Sequence, residues 1–391
     1  MRRDGWIIVA GFMAAIHVGK LPPAVPVLQR DLGISLVEAG VLLSLVQAAG
    51  MLLALLLGSY SEKIGLKRCM VLGLLLLGSA SSLAAFDLNF RLLLLLRGLE
   101  GLGFLCITLT GAAYLRHLVA AEHLQKKLGL WSAYMGGGMG IALLSTPFLF
   151  NFVSWQQVWL CYGALSFALA LILSLYLPAP PPASHSTQVF KVLLQVLKHP
   201  PAWLLAVIFA LYAGQWLVLV GFLPTIYQHN QISLTLAGSL TALVAMSNAI
   251  GTAICGRLLQ RGIAASMLMR VGFVVMLITA LSFYSFSSHL PFMLQYACVV
   301  AFSLVGGLVP ASVFSQAMHV APQPQCIPAT IGLTLQCSAC LQFLLPPLAA
   351  SLVAWTQTWL WLGVAMLFLS LLALLLVQWL FQLQRLRLAN Q

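Results

Sequence analysis

The sequence predicts an all-α integral membrane protein with twelve transmembrane helices in two pseudo-symmetric six-helix bundles. Three observations predict it. The 391 residues are 61% hydrophobic and only 7% charged, with a mean hydropathy of +1.01, whereas soluble domains carry roughly 25% charged residues. Apolar runs of about 20 residues, the length that crosses the hydrocarbon at 1.5 Å per residue, recur along the whole chain. Finally, the chain repeats itself in outline: Ile34-Ser-Leu-Val-Glu-Ala-Gly-Val-Leu42 returns as Ile232-Ser-Leu-Thr-Leu-Ala-Gly-Ser-Leu240, 198 positions later, and Pro26 falls on Pro224 at the same offset.

Taken in order, the predicted spans are Trp6–Gln29, Leu36–Leu57, Cys69–Phe86, Leu92–Leu115, Leu128–Val153, Val158–Leu177, Ala202–Tyr227, Leu234–Cys255, Ala264–Phe286, Phe292–Ala317, Ala329–Trp355 and Trp359–Phe381. Pro22, Pro23 and Pro26 are expected to break the end of the first span, and Pro346-Pro347 to interrupt the eleventh. Between the sixth and seventh, Pro178-Ala-Pro-Pro-Pro-Ala-Ser-His-Ser-Thr187 cannot be helical and reads as a semi-rigid spacer. The organisation expected is therefore a bundle over 1–177, a linker over 178–199 and a bundle over 200–391. Within the linker, Phe190–Leu197 is amphipathic between Lys191 and Lys198 and is expected along the membrane surface.

The net charge of +12 does not imply a nucleic-acid partner. The basic residues are scattered through short inter-span turns and form no basic face. With the N-terminus inside, Arg2, Arg3, Lys63, Lys67, Arg68, Lys126, Lys127, Arg257 and Arg261 are among those that collect on the cytoplasmic side, against Arg30 and Arg91 outside. Both termini are thus expected in the cytoplasm. Met1-Arg-Arg-Asp-Gly before an apolar run has the outline of a signal peptide, but Lys20 and a double proline stand where a cleavage site is wanted, so an uncleaved first span is expected. The eight cysteines lie mostly inside apolar runs; even Cys337 and Cys340, a CxxC, are flanked by Leu, Gln and Ala and read as packing. No metal and no cofactor is expected.

The densest charge cluster is Gly58-Ser-Tyr-Ser-Glu62-Lys63-Ile-Gly65-Leu-Lys67-Arg68, and its worn copy is Gly256-Arg-Leu-Leu-Gln260-Arg261-Gly262. Glycine at Gly65 permits a tight reversal, while an acid beside several bases can pair with neighbouring helix ends. With the repeat and the Arg97-Gly-Leu-Glu100-Gly101-Leu-Gly103 element of span four, this turn resembles the major facilitator superfamily across essentially the whole chain. Glu62 stands where that family has Asp, and Leu66 departs from its pattern. The resemblance implies a secondary transporter of the bacterial inner membrane, monomeric, working by alternating access on a small-molecule solute held between the halves. It also implies that Gly58, Glu62, Lys63, Gly65, Lys67, Arg68, Gln260 and Arg261 form a conformational latch, the alternative being a topogenic basic loop.

Gly129-Leu-Trp-Ser-Ala-Tyr-Met-Gly-Gly-Gly-Met-Gly140, running on to Pro147, and Leu223-Pro-Thr-Ile-Tyr227 are similar to the cyanate permease branch. That branch is associated with small anions and small polar organic solutes. Its first-span arginine has no counterpart here, so its substrate is not carried over. The family's drug/proton antiporters place Pro directly after the fifth-span glycines, where this chain has Ile141.

Charged groups inside spans are costly and mark cavities or partners. Span one carries His17 and Lys20, and span four Arg97 and Glu100, each pair on one helix face. Lys20 and Arg97 outnumber one acid, so the expected site is net positive and favours an anionic or strongly dipolar solute. At the 198-residue offset His17 maps to Gln215 and Arg97 to Gln295, and Gln215, Trp216, Gln295 and Tyr296 are expected to shape the opposite wall. All seven acidic residues lie between Asp4 and Glu122, so any proton-carrying carboxylate comes from the first half. Glu100 leads, with His17 beside it and Glu38 second. The competing roles stay open: Arg97–Glu100 as a purely structural pair, Lys20 snorkelling to the interface, His17 as a packing donor, and Gln215, Trp216, Gln295 and Tyr296 as ordinary lining. An enzyme is not expected, since nucleophile elbow, metal cluster and phosphate loop are all missing from the sequence. Proton-coupled efflux of drugs or metabolites, and a transporter-like receptor without flux, are the alternatives.

Overall fold

A computed structural model describes residues 3–86, 89–120, 123–124, 127, 130–131, 133–179, 189–286 and 289–389, with the side chains of 58–64, 189 and 387–389 outside that description. Eleven helices among the described residues are long and apolar enough to cross a membrane. A further apolar helix, Tyr134–Leu149, stands in the place of the fifth span. The chain is an all-α membrane protein of the duplicated twelve-helix kind. Large apolar side chains left exposed along the helices, such as Leu52, Leu95, Leu175, Phe368 and Leu375, form the surface expected against lipid tails.

Span one runs Arg3–Gly19 and restarts as Leu21–Leu32; span two runs Leu36–Leu45 and restarts as Ala48–Ile64. Spans three to six are Leu66–Leu83, Phe90–Leu118, Tyr134–Leu149 and Trp155–Tyr176. A short helix, Val189–Leu197, precedes spans seven to nine at Pro200–His229, Leu234–Gln260 and Ala265–Ser285. Span ten is divided into Phe292–Gly306 and Leu308–Val320, and spans eleven and twelve are Ile327–Thr356 and Leu360–Ala389.

The helix ends follow from local chemistry. Ser35 and Glu38 form a reciprocal capping box at the start of span two, as Ser154 and Gln157 do at span six. Asn89 caps span four by accepting from the Leu92 amide at 3.0 Å. The prolines of span one do not end it. Pro22 and Pro23 fall in the first turn of the restarted helix Leu21–Leu32, where the missing N–H has no intrahelical partner to lose, and Pro26 lies inside that helix. Span eleven likewise stays helical through Pro346 and Pro347.

Contacts divide the chain into two compact units, Met1–His185 with Val220–Met246, and Ser186–Leu219 with Ser247–Gln391. In the first, spans three and four approach closely: a Cβ built on Gly103 would stand 2.6 Å from the Gly73 carbonyl oxygen. The second unit repeats the device at Gly272, whose Cβ would meet Val309 at 2.7 Å. Glycines on spans six and twelve, Gly163 and Gly363, also correspond, each resting on a serine of the adjoining span, Ser82 and Ser285. The sequence repeat is therefore a repeat of packing. The first unit also joins the start of span eight to span five, where Asn151 donates to Thr235 at 3.3 Å.

At the charged turn, Gly65 has φ +96° with nothing within 4 Å of a built Cβ. Its glycine is required by backbone conformation and not by space. Gly65→Ala is expected to cost about 1–3 kcal/mol, measurable as a lowered unfolding temperature in detergent. Lys67 donates to the Ser174 carbonyl at 2.8 Å, at the end of span six, and Arg68 is exposed. The side chains at Gly58, Glu62 and Lys63 lie outside the described residues. In the second copy Gln260 and Arg261 are exposed. Gly262, φ +83°, ends span eight: its amide bonds the Leu259 carbonyl and the Ile263 amide bonds the Leu258 carbonyl. That is a Schellman cap, which explains why this glycine stands one place early relative to Gly65.

Candidate functional site

Span one breaks at Lys20 and span two at Val46-Gln47. Each break leaves the carbonyls of its last helical turn without regular partners. Arg97 of span four fills both vacancies. Its Nη1 donates to the His17 carbonyl at 2.7 Å and its Nε to the Leu42 carbonyl at 3.2 Å. Gly101, one turn along, makes this approach possible, because a Cβ there would be driven into the Val46 carbonyl.

The same guanidinium donates to Glu100 Oε2 at 2.6 Å, and Lys20 Nζ donates to Glu100 Oε1 at 2.5 Å. His17 Nδ1 stands 3.0 Å from the same Oε1, and its Nε2 stands 2.9 Å from Ser166 Oγ on span six. Lys20 also donates to Ser81 Oγ of span three at 2.7 Å and lies 4.6 Å over the Trp159 ring. The structure thus brings together all four ionisable residues of spans one and four. His17 and Lys20 are 0% exposed, Glu100 3% and Arg97 4%, so Lys20 does not reach an interface. Their partners Ser81, Trp159 and Ser166 come from spans three and six; sequence reasoning named none of them.

Two hydrogen-bond arrangements satisfy His17. With the proton on Nδ1 it donates to Glu100 while Ser166 donates to Nε2. With the proton on Nε2 it donates to Ser166, and Nδ1 accepts from Lys20, 3.3 Å away. A proton arriving at Nδ1 therefore rearranges the bonds around Glu100, whereas one arriving at Nε2 reverses the bond to Ser166. Counting Lys20 and Arg97 as cations against one carboxylate, with neutral His17, the cluster carries one excess positive charge in a buried position.

The second unit has a neutral version. Gln215, the repeat counterpart of His17, accepts from Ser370 of span twelve at 3.0 Å and donates to the Leu211 carbonyl. His17–Ser166 and Gln215–Ser370 are thus the same span-to-span contact. Trp216 donates to Ser303 Oγ at 3.0 Å, and Asn248 donates to Tyr212 Oη at 2.7 Å. Gln295 donates to the Leu290 carbonyl, and Tyr296 stacks on Phe292 with ring centroids 6.4 Å apart, both at the start of span ten. Glu38 is bound in its capping box, its Oε2 accepting from the Ser35 amide and hydroxyl at 2.8 and 2.9 Å, away from the Glu100 cluster. The eight cysteines are free thiols. Among the described residues no group of His, Cys, Asp and Glu is placed to hold a metal.

The profile of the Major Facilitator Superfamily matches residues 7–338, and the chain belongs to that superfamily of membrane transporters. It is 29% identical over 253 residues to the "Cyanate transport protein CynX" of Escherichia coli, covering 63% of each chain. To the "Chloramphenicol resistance protein CraA" of Acinetobacter baumannii it is 26% identical over 171 residues, 42% of this chain and 39% of that one. The chain thus matches less than two thirds of the length of either relative. Among solved structures, the nucleoside transporter NupG superposes with a TM-score of 0.79 at 14% identity, covering 97% of this chain and 100% of that one. A D-xylose-proton symporter superposes with a TM-score of 0.73 at 13% identity, covering 96% of both chains. These two likenesses define the fold alone.

Proposed function

We propose that the protein is a secondary active transporter of the bacterial inner membrane that moves a small anionic or polar organic solute by alternating access, with protons as the coupling ion. One observation carries the reading. The first unit buries Lys20, Arg97, His17 and Glu100 in one hydrogen-bonded cluster with an excess of positive charge, where the second unit holds the equivalent contact with neutral Gln215 and Ser370. Neutral pairs suffice to join these spans, and buried ionic clusters seldom add net stability over apolar packing. The charges are therefore retained for work.

The work follows from charge balance. Glu100 is the one carboxylate of the cluster. Protonating it, directly or through His17, leaves Lys20 and Arg97 unneutralised, and the cluster then attracts an anion more strongly. By linkage the anion in turn favours the proton, which is the condition for symport. The likeness to a cyanate transport protein supports a small anion. The likeness to a chloramphenicol resistance protein supports the second reading, proton-coupled efflux. The distribution of Lys and Arg supports a cytoplasmic position for both termini. The exposure of Phe190, Leu194 and Leu197 on the helix Val189–Leu197 supports a position at the membrane interface.

The test is uptake into proteoliposomes with a panel of small monovalent anions and drug-like solutes, with and without a pH gradient. Anion uptake driven by an acidic exterior is expected, with Lys20→Ala and Arg97→Ala each losing most of it. Wild-type uptake by both variants would remove the anion reading. Drug efflux without anion uptake would select the second, and solute binding without flux a receptor.

A further inference from the structure

At the membrane face where span nine begins and span twelve ends, the second unit opens a cleft of about 170 Å³, against the roughly 10–15 Å³ that one water needs. It is lined by Arg270 of span nine and by Gln378, Phe381, Gln382 and Arg385 of span twelve. The two spans run antiparallel, since at their other ends Gly363 rests on Ser285. Arg270 stands five residues into span nine, about 7.5 Å along its axis, where an exposed charge is costly unless something meets it. No side chain of the second unit can do so, because no Asp or Glu follows Glu122 in the chain. Among the described residues neither Arg270 nor Arg385 forms an ion pair. The surfaces leading from the cleft further into the membrane change character. On span twelve, Gln378, Gln382 and Arg385 continue one helical stripe with Leu371 and Leu375, and on span nine Arg270 shares its face with Val274 and Ile278. All four of these aliphatic side chains are exposed.

We propose that this cleft binds the headgroup of an anionic phospholipid. The phosphate accepts from Arg270 and Arg385, the amides of Gln378 and Gln382 donate to the glycerol and ester oxygens, and the acyl chains lie along Leu371, Leu375, Val274 and Ile278. Guanidinium forks match phosphate oxygens in geometry as well as charge, and basic pockets between spans suit acidic headgroups. Charge balance selects the lipid class. A zwitterionic lipid would bring its own ammonium beside two cations and no carboxylate, and that repulsion disfavours it. The apolar stripes select a lipid over a soluble phosphate, because basic and amide groups at the cleft followed by bare hydrocarbon below reproduce the profile of a phospholipid along its length. Such a lipid bridges spans nine and twelve and stabilises the second unit. The site is separate from the Glu100 cluster of the first unit and stands whichever solute is carried.

The test is thermal unfolding of the purified, delipidated full-length protein in detergent, titrated with phosphatidylglycerol, with phosphatidylcholine or with inorganic phosphate at equal ionic strength, which holds screening constant. A ligand of the folded state raises the unfolding temperature in a saturable way. Wild type is expected to be stabilised by phosphatidylglycerol and not by the other two. The double variant Arg270→Gln, Arg385→Gln is expected to unfold as wild type without added lipid, because both residues are exposed, and to weaken the phosphatidylglycerol midpoint about tenfold. Gln382→Glu keeps both arginines but sets a carboxylate one turn from Arg385. It is expected to give the same loss, and it carries the test should the double variant fail to fold. The pair Arg257→Gln, Arg261→Gln removes the same charge from the end of span eight, where both residues are exposed; it is expected to respond as wild type, which separates a site from the general attraction of a basic protein for acidic lipid. A phosphatidylglycerol midpoint unchanged in the Arg270, Arg385 double variant and in Gln382→Glu would overturn the proposal, as would an equal loss in the Arg257, Arg261 pair. Equal stabilisation by phosphatidylcholine would also overturn it, and stabilisation by inorganic phosphate that depends on Arg270 and Arg385 would give the site to a free anion instead. All these results are read without any flux measurement, so they leave the transport reading untouched.

Discussion

Replacing Glu100 by alanine is expected to destabilise the folded protein by about 3–5 kcal/mol, the range for removing one partner of a buried ion pair. The reason lies in what remains. Lys20 Nζ and Arg97 Nη1 each lose a carboxylate oxygen at 2.5 and 2.6 Å, and two buried cations then face each other. Adding Lys20→Met to the same variant is expected to recover a substantial part of the loss, because it restores the wild-type excess of one charge. Unfolding temperatures of the two variants and wild type in detergent check this. A Glu100→Ala protein as stable as wild type would mean that the cluster is not ionised as described.

The second large effect is expected at Gly101. A side chain there has no room to move into, because the obstacle is the backbone of Val46 at the break in span two. Gly101→Ala is expected to cost about 1–3 kcal/mol by overpacking, and Gly101→Val more. The consequence reaches function. Pushing span four away from span two lengthens the contact from Arg97 to the Leu42 carbonyl, now 3.2 Å, and so releases the guanidinium from the geometry that aims it at Glu100. Gly98, three residues away and with open space around its Cβ, is the control: Gly98→Ala is expected to leave both stability and transport near wild type. Comparing the two variants in unfolding and uptake assays separates helix propensity from contact with Val46.

The fold was legible because its determinants are compositional and repetitive. A chain with so few charges must place its apolar runs in lipid, and the Ile34 and Ile232 stretches announce the duplication. The pairing of His17, Lys20, Arg97 and Glu100 was legible for a related reason, since a charge inside a span needs a partner and these are few. The breaks were less so. Pro22 and Pro23 after Lys20 signal a discontinuity, but helix resumes because a first turn tolerates them. Nothing in Val46-Gln47 marks the break in span two: no proline or glycine stands there, and tertiary contact with Gly101 and Arg97 decides it. Ser81 and Ser166 were not legible either. Serines are scattered through these spans, and helix rotation selects which of them faces the cluster. Ser370, the counterpart of Ser166, does not even lie at the 198-residue offset. Glu38 had a local signature, the Ser35-Leu-Val-Glu38 spacing of a capping box, which reading it only as a carboxylate in a span passes over.

Glu100 is the group proposed to link the proton to the solute. The most direct measurement is solute movement in proteoliposomes containing Glu100→Gln, which keeps acceptor and shape but cannot take up the proton. Solute exchange between equal concentrations on the two sides is expected to persist, while accumulation driven by a pH gradient is lost. Accumulation at the wild-type level in Glu100→Gln would contradict the account.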